Sequence, residues 1–219
     1  MAGKPIHTAL VVDYGGVLTT DIWIAFGEFC DAEGLEPEAV KDLFRSNPKA
    51  MRLLRGLETG ELDEATFEPQ FAELLGVPES EGLIGRLFGG LGPDHLMIGA
   101  VRTARRSGVK TGLITNSWGL GIYDRAPVDL FDETVISGDV GLHKPQPEIY
   151  LLACERLRVA AGECVFVDDL PPNLKPAAEL GLRWINCSAS VIWLLRILRR
   201  MPIIAPASIS LMLPKKPTD

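Results

Sequence analysis

Asp13 closes an apolar run at residues 8–12, Thr115-Asn116-Ser117 closes another at 109–115, and Asp168-Asp169 closes a third at 164–167. Lys144 lies between the last two in a stretch that reads as a loop, Gly-Leu-His-Lys-Pro. Carboxylates, a hydroxyl and an ammonium suit one chemistry when they are gathered together. Crowded carboxylates repel, and their pKa values rise unless a cation compensates. One lysine against Asp13, Asp168 and Asp169 leaves negative charge over, which a hard divalent ion with oxygen ligands, Mg²⁺ above all, would balance.

The elements that must position these residues follow from the pattern around them. Short apolar runs rich in β-formers that stop abruptly at a turn read as strands of a parallel sheet covered on both faces. Strands are expected at 8–12, 109–115, 133–137, 164–167 and 183–187, with helices at 95–106, 147–157 and 174–180 between them. Strands alternating with helices imply βαβ units and a doubly wound α/β sheet. Ligands of such sheets bind beyond the carboxyl ends of the strands, where the chemistry-bearing residues lie.

From Thr20 to about Phe88 the period changes. Ile22, Trp23, Phe26, Phe29 and Cys30 recur at helical spacing, as do Val40, Leu43 and Phe44, then Phe67, Phe71, Leu74 and Leu75. This stretch is expected to be a helical cap, residues 20–87, inserted into a discontinuous core of residues 1–19 and 88–201. Residues 190–200 could form a last helix, and 202–219 form a tail without an assigned role.

Composition removes several classes. The chain has 219 residues, 47% hydrophobic and 23% charged, with a net charge of −7. An acidic chain lacks the basic face that nucleic acids or anionic membranes require. No apolar stretch reaches the roughly 18–20 residues of a membrane span, and residues 1–7 lack a signal-peptide pattern. The cysteines, Cys30, Cys154, Cys164 and Cys187, form no CxxC pair and no zinc spacing with His7, His95 and His143. Buried thiols in a reducing, cytoplasmic setting are expected. The oligomeric state is open.

Taken in order, VVDYGGVLT (Asp13), GLITNS (Thr115), GLHKPQPEIY (Lys144) and VFVDDLPPN (Asp168, Asp169) resemble the motifs of the haloacid dehalogenase-like hydrolases. The resemblance covers about residues 8 to 187. It is closest to the branch holding the phosphatase half of soluble epoxide hydrolases and a bacterial sugar-1-phosphate phosphatase. It implies Mg²⁺-dependent hydrolysis of a small phosphorylated metabolite through an aspartyl-phosphate. Asp13 would be the nucleophile. Mg²⁺ would be held by Asp13, the Gly15 carbonyl and Asp169. Thr115 and Lys144 would bind the phosphoryl group. Asn116, Asp168 and Asn173 would line the substrate or support the ligands from behind.

The sequence departs from the family pattern at Gly15, where its phosphatases usually carry a second Asp as general acid and base. The similar sugar-phosphate branch also has Gly there. Asp168 and Asp21 are candidate substitutes, and Tyr14 is expected to point away from the site if strand alternation persists. Trp23, Phe26 and Trp118 either line the substrate pocket or pack the cap. His143 reads as a loop histidine. Two other functions stay open: a catalytically weak or idle binding module, motivated by Gly15 and the tail, and a 2-haloacid dehalogenase. The latter branch keeps an Arg soon after its first motif, whereas here the next arginine is Arg45.

Overall fold

In a computed structural model of the chain, residues 7–119 and 128–187 are described. The most apolar strand of the sequence, β1 (Ala9–Val12), lies at the centre of the sheet and is buried throughout. Five parallel strands run in the order β3-β2-β1-β4-β5, with β2 at Lys110–Thr115, β3 at Glu133–Ile136, β4 at Cys164–Asp168 and β5 at Arg183–Asn186. Leu10, Val12, Leu113, Val165 and Val167 face α6 (His95–Arg106) on one side. Ala9, Val11, Ile114 and Phe166 face α8 (Pro147–Leu157) and α9 (Pro171–Glu179) on the other. Burial on both faces is what makes these strands continuous apolar runs.

The order reverses at β1. The chain adds β2 and β3 on one side, then returns to place β4 on the other. Such a switch point opens a crevice at the carboxyl ends of the two strands. Asp13 and Asp168 emerge there side by side. The Asp13 N–H still donates to the Val167 carbonyl at 2.9 Å, one step beyond the Val12–Val167 pairing.

Between β1 and β2 come α1 (Ile22–Glu33), α2 (Ala39–Ser46), α3 (Pro48–Thr59), α4 (Glu64–Leu75) and α5 (Leu83–Leu87), followed by α6. The first five enclose an apolar cluster of their own, including Phe26, Phe29, Leu53, Phe67, Phe71 and Leu87. Helix α3, which the apolar spacing does not single out, has clear local causes. Asn47 accepts from the N–H groups of Lys49 and Ala50, and Pro48 occupies the first turn, where its missing N–H costs nothing.

Most element ends fall within one residue of expectation, and two of the differing boundaries have clear local causes. Helix α9 starts at Pro171 rather than Leu174, because Pro171 and Pro172 are tolerated in a first turn. The third strand stops at Ile136, and Ser137 opens the one-turn helix α7 (Ser137–Val140). The expected helix at 190–200 and the tail at 202–219 lie outside the described residues. All four cysteines are free, and Cys30, Cys154 and Cys164 are buried. Among the described residues no helix is long and apolar enough to cross a membrane.

Candidate active site

The rim at the switch point is organised around one buried ammonium. Lys144 Nζ lies 2.8 Å from Asp13 Oδ1 and 2.8 Å from Asp168 Oδ2, and all three residues are buried. Burial works against the charge on Lys144, but the two carboxylates outweigh it and hold its pKa above the ordinary lysine value. The lysine backbone is clamped as well. Its N–H donates to Asn116 Oδ1 at 2.8 Å, and its carbonyl accepts from Asn116 Nδ2 at 3.0 Å. The loop after β2 therefore fixes the loop that carries Lys144.

Asp168 has no solvent exposure and works behind the rim. Besides Lys144, it accepts from the Leu170 N–H at 2.8 Å and from Asn173 Nδ2 at 3.1 Å to each oxygen. Tyr150 donates to the Asn173 carbonyl at 2.8 Å, locking the first turn of α9 in turn. Asp13 Oδ1 also accepts from the Tyr14 N–H at 2.7 Å. Burial pushes the Asp13 carboxyl up to about 7; Lys144 opposes the rise and Asp168 adds to it. Asp169 is pushed up to about 6, by burial first and by Asp168 second.

One carboxylate oxygen from each of Asp13, Asp168 and Asp169 falls within 4.8 Å of the others. With all three ionised, Lys144 leaves two negative charges over, which matches a single dication. Hard oxygen donors around uncompensated charge fit Mg²⁺. Gly16 makes the close approach of Asp169 possible. Its φ is +68°, and a Cβ there would lie 2.6 Å from Asp169 Oδ2.

Asp13, Gly15, Thr115, Asn116, Lys144, Asp169 and Asn173 share one cavity of about 90 Å³. Asp168 is not among its lining residues. Tyr14 is, against expectation, because alternation ends at Asp13: residues 14–18 turn, with the Leu18 N–H donating to the Tyr14 carbonyl at 2.8 Å. Asp21 does not reach the cavity lining; its carboxylate caps α1 by accepting from the Trp23 N–H at 2.8 Å. That volume holds a phosphoryl group and little else, far below the roughly 300 Å³ of a small-ligand site.

The inserted helices form the facing wall in two ways. Trp118, from the loop after β2, sits among Phe26, Phe44, Phe67 and Phe88, with ring centroids 5.1–6.3 Å away. Trp23 packs edge-on against Phe26 at 5.7 Å. The other attachment is polar and comes from α3. His143 is buried: its Nε2 pairs with Arg55 Nη1 at 2.7 Å and its Nδ1 with the Lys144 carbonyl at 2.9 Å. The arginine can only donate, so the histidine accepts at Nε2 and carries its proton on Nδ1. The Ser137 hydroxyl donates to the Glu58 carbonyl, and the Glu58 side chain accepts from Asn116 Nδ2 at 3.4 Å.

Glu58 lines the same cavity. Burial pushes its carboxyl up to about 7, although Asn116, Arg55 and Lys144 all favour the charged form. No motif spacing marks Glu58. The available signal is an acid in the last turn of a helix, two residues before Gly60.

Residues 7–181 match the family described as haloacid dehalogenase-like hydrolase, and the chain belongs to that family. It is 38% identical over 94 residues to mouse acyl-CoA dehydrogenase family member 10, covering 42% of this chain and 9% of that protein. To rat bifunctional epoxide hydrolase 2 it is 33% identical over 95 residues, 39% of this chain and 17% of the relative. The matched segments thus span less than a fifth of these relatives. Phosphatase MT3486 of Mycobacterium tuberculosis is 33% identical over 90 residues, 38% of this chain and 41% of that one. Among solved structures, a predicted HAD-like family hydrolase from Porphyromonas gingivalis superposes with a TM-score of 0.69 at 23% identity, covering 90% of this chain and 99% of that one. A HAD family enzyme from Bacteroides thetaiotaomicron, solved with magnesium and inorganic phosphate, gives 0.59 at 21% identity, covering 82% and 93%.

Proposed function

We propose that this chain hydrolyses a small phosphate monoester through an aspartyl-phosphate on Asp13, with Mg²⁺ bound by Asp13, Asp169 and the Gly15 carbonyl. The observation that carries this reading is the buried Asp13–Lys144–Asp168 ion pair at the sheet's switch point, with Asp169 in ligand range. Similarity to a named phosphatase and to a fold solved with magnesium and phosphate supports it.

Roles follow from placement. The Tyr14 N–H and Lys144 orient the Asp13 carboxylate toward phosphorus. Thr115 donates to a phosphoryl oxygen, and Lys144 offsets the charge that builds as the phosphoryl group transfers. Asp13, Asp169 and the Gly15 carbonyl would hold Mg²⁺, which would supply the charge neutralisation that a phosphate dianion needs beside a carboxylate nucleophile. Asp168 and Asn173 keep Lys144 and α9 in register, and Asn116 does so for the lysine backbone. Residues 20–87 act as a cap over a core of 1–19 and 88–201. The cap would close over the bound phosphoryl group and exclude water from it.

The test is phosphate release from sugar phosphates, nucleotides and acyl phosphates under titrated Mg²⁺, with halide release from 2-halo acids followed in EDTA. Mg²⁺-dependent phosphate release is expected, and Asp13→Asn should lower it on the order of 10⁴-fold. Undiminished turnover by that variant, or halide release without metal, would refute the proposal.

A further inference from the structure

An ester with a poor leaving group needs a proton delivered to the departing oxygen and, later, a base for the attacking water. The segment carrying Asp13 brings no second carboxylate, because position 15 is glycine. The other carboxylates that flank this segment or the rim are engaged elsewhere. Asp168 is fully buried and bonded to Lys144, Leu170 and Asn173, Asp169 stands in the metal group, and Asp21 caps α1.

Glu58 enters the same cavity from the opposite wall, on the last turn of α3. The groups facing it are Asn116 from the β2 loop, Lys144 from the core, and Arg55 on its own helix, itself paired to His143. Burial prevails over all of them, so the carboxyl exchanges its proton near neutrality. Its backbone is anchored too. Ser137 donates to the Glu58 carbonyl, and Gly60, at φ +75°, lies so close to Gly138 that a Cβ would sit 2.6 Å from the Gly138 oxygen.

From this geometry we propose that Glu58 is the proton-transfer group of the reaction, brought by the cap in place of the carboxylate absent at position 15. The inference rests on the phosphatase reading above. In the first step an Asp13 oxygen bonds to phosphorus, the ester P–O bond breaks, and the departing oxygen takes the Glu58 proton. In the second step water bonds to phosphorus and gives a proton to the Glu58 carboxylate, while the bond from phosphorus to Asp13 breaks. One water is consumed, alcohol and phosphate leave, and Glu58 ends protonated. The acid is in place only while α3 is docked, so proton transfer waits on closure.

The experiment compares the full chain with Glu58→Gln, Gly15→Asp and the double variant, using 4-nitrophenyl phosphate and glycerol phosphate with Mg²⁺. Nitrophenolate departs without a proton. Glu58→Gln should therefore keep a stoichiometric nitrophenolate burst while steady-state kcat falls roughly 10²–10⁴-fold. Turnover of glycerol phosphate should fall at least as far without a burst, and the wild-type pH limb near 7 should disappear. A Cβ at position 15 would crowd only the Ile22 side chain, whose Cγ2 at 3.2 Å must give by a few tenths of an ångström to admit an aspartate. Added to Glu58→Gln it should restore turnover at least tenfold, which a misfolded protein could not show. An active wild type matched by Glu58→Gln within threefold, or a variant changed in KM alone with the pH limb intact, overturns the inference by itself. A wild type that releases no phosphate from either probe overturns the phosphatase reading and this inference together.

Discussion

The two walls of the cavity are built by opposite means. The core wall is a charge network closed around Lys144, with each oxygen of Asp168 assigned to a donor. The cap wall is a cluster of aromatic rings around Trp118, tied at one edge by Arg55 and Glu58. Charge networks are directional and tolerate little displacement; ring clusters can slide and repack. If the proposed function holds, the rigid wall would keep the nucleophile fixed while the yielding wall moves with the inserted helices.

Lys144→Met tests the rigid wall most severely. It leaves Asp13 and Asp168 buried without a counter-charge and should cost about 3–5 kcal/mol in urea unfolding. A loss below 1 kcal/mol would mean that the charge balance lies elsewhere. Trp118→Ala tests the yielding wall. It should cost about 3 kcal/mol and raise KM more than it lowers kcat; equal damage to kcat would erase the contrast between the walls.

These two variants also mark what the sequence discloses. Strand ends place Asp13, Thr115 and Asp168 next to one another by topology alone, so reading the strands reads the rim. The helical period of α1 and α4 likewise predicts their buried faces. What it does not reveal is which flank of a cap helix meets the core. Glu58 follows Leu57 on the flank of the buried stripe of α3, and the docking of α3 on α7 turns it toward Asn116. Nor could a Gly15-Gly16 pair announce which glycine matters for shape; Gly16 does, because Asp169 presses against it.

Gly16→Ala sharpens that point. Left-handed backbone and displacement of Asp169 should cost about 2 kcal/mol, and calorimetry should show Mg²⁺ affinity at least tenfold weaker. Unchanged affinity would detach Asp169 from the metal. The smallest expected effect is on pH. Asp13 and Asp169 have raised folded-state pKa values, about 7 and 6, so the metal-free fold holds protons that the unfolded chain releases. Its stability therefore falls as pH rises from the unfolded carboxylate range near 4 through about 7. Metal binding displaces those protons, so Mg²⁺ should raise Tm clearly at pH 8 and little at pH 5.5. At tenfold excess over Kd the gain is about 1.4 kcal/mol. A larger rise at pH 5.5 would contradict the assigned ligands.

Trp118 has a consequence for how such a molecule could be recombined. It belongs to the core by sequence, three residues beyond Thr115, yet its ring completes the interior of the inserted helices. Grafting a foreign cap onto this sheet would leave an indole without its socket, and moving the helices to another sheet would leave a hole where the indole stood. Exchange of caps between relatives should therefore succeed only when the short loop bearing that tryptophan travels with them.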